Sequence, residues 1–253
     1  MSPFFTAVIV FLCILASTWL GLLLRERLPD HHLSADSKDV VRLGSGMIAT
    51  MAALILGLMT ASAKSAFDAE DAAVKQVSTN LLSLDRSLAN YGPDTKELRG
   101  VLRHMVQLRL EMTWPEERGQ DARVDAPEAT PLAEGIERQI VNLPEQTAEQ
   151  RAYKSQALAL AGQLLQTRWA VFGAQQSSIP TSFLVIVVFW LSVIFASFGL
   201  FAPRNPTVVV VLIVCALSVA ASMFLILEMD RPFSGMMKVS SAPFRFTLAH
   251  LGQ

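Results

Sequence analysis

Cysteine is almost missing from this chain. The two present, Cys13 and Cys215, sit in apolar runs, and the polar middle has none. That excludes a disulfide framework or a thiolate metal site there. Charge is missing in an organised way: no Asp, Glu, Lys or Arg occurs in residues 1–24, 43–63, 169–203 or 205–227. Nor is there an excess of one sign, since 21 basic residues face 22 acidic ones, which leaves no general electrostatic case for nucleic acid. HExxH, Walker, Gly-x-Ser-x-Gly and Rossmann patterns are all absent. The charge-free runs hold no carboxylate that could relay protons at mid-bilayer. The chain therefore reads as non-enzymatic, with no catalytic residue, no metal site and no cofactor expected.

What is there is apolar and blocky. Hydrophobic residues make up 52% of the 253, concentrated in the four charge-free runs. A charge at the bilayer centre costs roughly 2.5–3.5 kcal/mol on insertion scales, and a span needs ~20 apolar residues, so each run reads as a transmembrane helix. The first run lacks a basic n-region and is longer than the ~7–15 residues of a signal-peptide core, which makes it a retained helix. The expected fold is all-α: four transmembrane helices, with a helical-bundle extramembrane domain inserted between spans two and three. The divisions fall at 1–63 for spans one and two, 64–179 for the helical domain, 180–228 for spans three and four, and 229–253 for a membrane-proximal C-terminal tail, with His250 in a disordered end.

Residues 37–91 read as one rod that leaves the membrane as a helix and does not stop. No proline or glycine interrupts it between Lys64 and Gly92-Pro93. Its second half places Phe67, Glu70, Val74, Val77, Leu81, Leu84, Leu88 and Tyr91 at alternating steps of three and four, an a/d seam broken only by Glu70. Asp94 with Glu97 predicts a capping box for the next helix, whose rhythm is Leu98, Val101, Met105, Leu108, Met112. A loop over 115–131 and a short helix over 132–141 follow. Pro144 then opens a long helix running to Pro180 and feeding span three, and 67–91 is expected to pair antiparallel with 153–171.

Within span two, Gly46, Thr50, Ala53, Gly57, Thr60 and Ala61 form a small and hydroxyl stripe. Such a stripe admits a neighbouring helix closely, or it lines a pore. Lys64 is the first charge beyond it and either snorkels to the interface or contributes to a basic ring. Asp68, one turn on, is placed to neutralise Lys64, and Asp71 falls near the same face. The sign of such a pore mouth stays open. His31-His32, beside Asp30 and Asp36, reads as solvated rather than metal-binding.

The end of span four is the most distinctive string: Glu228, Met229, Asp230, Arg231, Pro232, Phe233, Ser234, Gly235. A carboxylate at a helix C-terminus meets the negative end of the dipole, so Glu228 calls for a cation, and Arg231 lies three residues away. Pro232 stops the helix, and Ser234-Gly235 suits a turn. Glu228, Asp230, Arg231, Pro232, Phe233, Ser234 and Gly235 together read as an interfacial lock.

That Asp-Arg-Pro-Phe-Ser-Gly string, the 238–244 stretch Lys-Val-Ser-Ser-Ala-Pro-Phe and the 57–62 run Gly-Leu-Met-Thr-Ala-Ser resemble a bestrophin-like family of bacterial and plant membrane proteins. The resemblance implies a homo-oligomer, pentameric in true bestrophins, in the bacterial inner membrane, passing inorganic ions. Span two would line the pore and the helical domain would form a cytosolic vestibule. The aromatic-rich second span typical of bestrophins is absent. Short-link charges (Arg25, Arg27, Lys38, Arg42, Arg204) point the other way on sidedness, placing those links in the cytoplasm and the domain outside. An alternative class is a membrane sensor whose helical bundle binds a ligand. In either class the bilayer is the surrounding partner.

Overall fold

The computed structural model describes residues 2–29, 34–114, 129–174, 179–203, 205–233 and 235–253, with side chains at 129–134 and 168–174 excepted. Its elements in order are α1 (Pro3–Arg27), α2 (Ala35–Tyr91), a 3-10 turn (Pro93–Thr95), α3 (Lys96–Thr113), α4 (Ala129–Val141), α5 (Ala148–Ala174), α6 (Thr181–Phe201), α7 (Pro206–Met229) and α8 (Ala242–His250). No strand occurs among the described residues, and four helices (α1, α2, α6 and α7) are long and apolar enough to cross a membrane. The expected all-α fold with four spans is what the chain adopts. It divides into two compact units, Met1–Ala66 with Ser177–Asp230, and Phe67–Gln176 with Arg231–Gln253. Helix α2, 57 residues long, contributes to both.

The membrane unit is built on helix ends that satisfy themselves. Ser2 Oγ accepts from Phe5 N at 3.3 Å, with Pro3 in the first turn of α1. Asn205 caps α7 the same way through Thr207 N at 3.1 Å, with Pro206 behind it. At the C-terminal end of α6, Arg25 donates from its guanidinium to Ala202 O, an orphan carbonyl at the negative end of the dipole. The core joins Val10 and Ile14 of α1, Met59 and Ala63 of α2, Val187, Leu191 and Phe195 of α6, and Met223 and Ile226 of α7. Outward faces carry Leu12, Trp19, Phe189, Val210 and Leu217, all exposed in the single copy and suited to lipid.

Helices α1 and α6 approach each other backbone to backbone. A Cβ added to Gly21 would overlap Ala196 O and come within 2.9 Å of Leu200 N. One added to Gly199 would overlap Thr18 O and come within 3.2 Å of Leu22 N. Each glycine makes room for the other helix's backbone, which is how small residues pack membrane helices without a hydrophobic driving force.

The second unit is a bundle of helices on the latter part of α2. Glu70, Val74, Leu81, Leu84, Leu88 and Tyr91 are buried, and Phe67 and Val77 half-buried, along the expected seam. They pack with Leu98, Leu102 and Val106 of α3, Ile136 and Ile140 of α4, Ala157 and Ala161 of α5, and Phe244 and Leu251 at the far end of the chain. Asn80 Nδ2 donates to Gln163 Oε1 at 3.4 Å, so α2 and α5 are neighbours. The Tyr91 hydroxyl donates to Pro144 O.

Several local expectations are overturned here. The Asp94–Glu97 capping box does not form. Thr95, not Asp94, is the N-cap residue of α3, and its hydroxyl points back, donating to Leu88 O at 2.6 Å and Gly92 O at 2.8 Å to close the end of α2. Gly92 makes that reversal possible with φ of +132°. A capping box does occur at α5: Thr147 Oγ1 accepts from Gln150 N, and Gln150 Oε1 accepts from Thr147 N. Helix α5 therefore begins at Ala148, not at Pro144. It does not run unbroken into span three either, because Pro180 sits extended (ψ 129°) ahead of α6. The residue before a proline is pushed out of the α region, and Pro180 itself has no N–H to continue a helix. The α3 seam is rotated: its buried line is Leu98, Leu102, Val106 and Thr113, with Val101 and Met105 at the edge, because the helix contacts neighbours on two sides. His250 ends an ordered helix, α8, rather than a disordered tail. The 115–131 loop lies outside the described residues up to 128, and 129–131 belong to α4; His31 and His32 also lie outside them.

Candidate pore-facing surface of helix α2

The first half of α2 has three sides. One packs into its own chain through Ala52, Met59 and Ala63. A second carries Gly46, Thr50, Ala53, Gly57, Thr60 and Ala61, all exposed in the single copy. A third, roughly a quarter turn further round at about 100° per residue, carries Val40, Leu43, Met47, Met51, Leu54 and Leu58, bulky and exposed.

The two glycines of the stripe are not used for close packing inside the chain. A Cβ at Gly46 or at Gly57 would meet nothing within 4 Å, in contrast to Gly21 and Gly199. The two threonines in it are internally satisfied: Thr50 Oγ1 donates to Gly46 O at 2.9 Å and Thr60 Oγ1 to Leu56 O at 2.8 Å. Each hydroxyl therefore turns oxygen lone pairs, not its proton, away from the helix. Lys64 is exposed near the end of the stripe in the membrane unit. In the helical unit Asp68 is exposed, while half-buried Asp71 is held by Lys75 Nζ at 2.6 Å, an i,i+4 pair that offsets its charge.

The residues of the span-four motif are placed as follows. Glu228 is buried in the last turn of α7, and Asp230 is that helix's C-cap. Arg231, Pro232, Phe233 and Gly235 belong to the helical unit, and Ser234 lies outside the described residues. Val239 N donates to Pro232 O at 2.7 Å, closing a loop in which Gly235 takes φ of +90°. Phe233 meets Trp114 edge-on, with ring centroids 5.9 Å apart, and Phe244 approaches the same indole at 5.5 Å. The Trp114 Nε1–H donates to Val239 O at 2.8 Å. The end of α3 and the stretch after α7, far apart in sequence, thus meet at one aromatic side chain.

Three features escape sequence reasoning. The Gly21–Gly199 crossing is one, since each is the single glycine of its helix. The role of Trp114 is another; a buried tryptophan needs a partner for its N–H, but nothing local says which. The third is a cavity of about 650 Å³ in the membrane unit, bordered by Lys38, Arg42 and Gly46. Glu70, visible as the seam's one polar residue, is buried with Oε2 lacking a hydrogen-bond partner among the described residues, and burial raises its carboxyl above the usual range. In the helical unit, the space between Leu84, Leu102, Ile136 and Ala161 measures about 40 Å³. That is room for about one water, against the ~300–1,000 Å³ of a small-molecule site.

A family model described as Bestrophin-like domain matches residues 12–244. No curated protein and no solved structure matches the chain.

Proposed function

This chain belongs to the bestrophin-like family, and on that premise we propose that it is a homo-oligomeric ion channel rather than an enzyme. It is an integral membrane protein with four membrane-capable helices. The first half of α2 would face the shared axis, presenting Gly46, Thr50, Ala53, Gly57, Thr60 and Ala61, with Lys64 beyond them. The observation that carries this is the exposed stripe: small and hydroxyl side chains along the span, all exposed in the single copy, with open space around the Cβ positions of Gly46 and Gly57. Four helices of one copy leave no lumen, so several copies are required, five by likeness to true bestrophins. The bulky row from Val40 to Leu58 suits contact with the adjacent copy. Inorganic ions are the permeant species, the bacterial inner membrane is the setting, and the helical unit lies in the cytosol.

Planar-bilayer recording of the purified protein tests the proposal, alongside its subunit count. Ala53→Trp is expected to lower single-channel conductance about tenfold or more, because an indole fills a narrow lumen. Val210→Trp, on an outward face of α7, is expected to leave conductance unchanged. Absence of conductance from protein that reconstitutes as a monomer would overturn the channel. For sidedness, a cysteine in the 115–131 loop, with Cys13 and Cys215 replaced, should resist an impermeant thiol reagent applied from outside.

The sensor alternative requires a chamber in the helical bundle. The space between Leu84, Leu102, Ile136 and Ala161, at about 40 Å³, is too small for such a ligand.

A further inference from the structure

The cavity beside the start of α2 lies entirely within the membrane unit. One wall is the first turns of α2, with Lys38 and Arg42 four residues apart on the same face. The opposite wall is apolar, formed by Ile194, Phe198 and Phe201 of α6 and Leu212 of α7. No carboxylate among the described residues lines it. Like charges one helical turn apart repel each other, and neither Lys38 nor Arg42 forms an ion pair among the described residues. The depth is set by sequence: the two cations precede the charge-free run starting at residue 43, while Phe201 ends α6 just before Pro203. The cations therefore stand at the membrane–water boundary, and from Phe201 to Ile194 the apolar wall descends about 10 Å into the hydrocarbon. At about 650 Å³ the space has the size of a small-molecule site.

We propose that this cavity binds an anionic phospholipid, its phosphate on Lys38 and Arg42 and an acyl chain along Ile194, Phe198 and Leu212. Charge complementarity selects an anion, and the apolar wall selects one that carries a hydrocarbon chain. A second copy of this protein is a poorer fit, because a boundary carboxylate such as Asp36 or Asp39 could meet the cations but would leave the apolar wall below them without a hydrocarbon chain. A neighbouring cavity of about 360 Å³, on the other side of the first turn of α7, serves as an internal contrast. It is lined by Trp19, Glu26 and Asn205, with no cation among the described residues. The inference is independent of conduction.

The test is competition on the full-length protein in detergent, with equal phosphatidylglycerol and phosphatidylcholine and bound lipid counted by native mass spectrometry. Wild type is expected to favour phosphatidylglycerol by about tenfold or more, the scale of two basic side chains near a membrane surface. Lys38→Gln/Arg42→Gln should bring the ratio near parity, and Lys38→Arg/Arg42→Lys should keep the preference. Ala49 also lines the cavity; Ala49→Phe, which fills it and leaves both cations, should lose the preference, and this variant decides the matter if the double substitution does not fold. Parity in wild type, a preference that survives Lys38→Gln/Arg42→Gln or Ala49→Phe, or displacement of the lipid by millimolar inorganic phosphate would overturn the proposal.

Discussion

Arg99 of α3 grips Asp85 of α2 with both arms of its guanidinium, Nε to Oδ1 at 2.7 Å and Nη2 to Oδ2 at 2.8 Å. Asp85 is buried, and the pair also holds the residues after α8. Gly252 N donates to Asp85 Oδ2 at 3.3 Å, and Arg99 Nη2 donates to Gln253 O at 2.9 Å. Removing one member of such a pair leaves a buried charge uncompensated, a loss of about 3–5 kcal/mol. Arg99→Met is therefore expected to lower the thermal midpoint and expose the 242–253 segment to carboxypeptidase. An Asp85→Leu/Arg99→Met double variant should recover much of the stability, because the stranded charge goes with its partner. Thermal unfolding in detergent checks both.

The glycine contrast in the membrane unit gives a sharper test of packing. Gly21→Ala or Gly199→Ala forces backbone against backbone, and overpacking of this kind costs about 1–3 kcal/mol. Gly57→Ala meets only open space in the chain and gains helix propensity, so unfolding of the monomer is expected to be unchanged or slightly harder. If Gly57→Ala alters conductance while leaving monomer stability intact, the effect lies between copies. Denaturation of dissociated protein and bilayer recording separate the two.

Trp114 ties the end of α3 to the loop after α7. Trp114→Phe keeps the aromatic contacts with Phe233 and Phe244 but leaves Val239 O without its donor, a loss of about 1–3 kcal/mol. Trp114→Ala should cost about 3–5 kcal/mol. Limited proteolysis should show faster cutting near residues 235–241 in both, and much faster in the alanine variant.

Glu70 carries the pH dependence. Burial raises its carboxyl in the folded state above the unfolded value of about 4.3. The folded state then binds the proton more tightly than the unfolded one. Glu70 is least harmful to stability below the unfolded value and becomes increasingly costly as pH rises through the folded one. Glu70→Gln is expected to unfold at higher temperature than wild type near pH 8, with the gap closing toward pH 4. A gap that widened on acidification would contradict burial as the cause.

The helical content and four spans were readable because both depend on local patterns. Charge-free runs mark spans, and the three-four rhythm from Phe67 to Tyr91 marks a buried face; α2 begins at Ala35 where a rod from 37 was expected. The reading failed where the deciding partner was distant or where two local signals competed. Asp94–Glu97 and Thr147–Gln150 both match a capping box, but only the second forms, since Thr95 is drawn to the open carbonyls of α2. Gly21 finds its reason only in Gly199, and Lys38 and Arg42 look like topology signals until α6 is placed opposite them. The exposure of the α2 stripe within one copy was likewise not decidable from its spacing, because packing and pore stripes have the same period.

Trp114 and Val239 are 125 residues apart. At ~5–20 residues per second, ribosomes make the second roughly 6–25 s after the first. Throughout that interval the indole lacks its native acceptor, and the helices feeding the bilayer, α6 and α7, are synthesised between the two. Closure of the helical unit is thus deferred until membrane insertion of the last span is under way. A nascent chain stalled before residue 239 is expected to present an open bundle to chaperones and proteases.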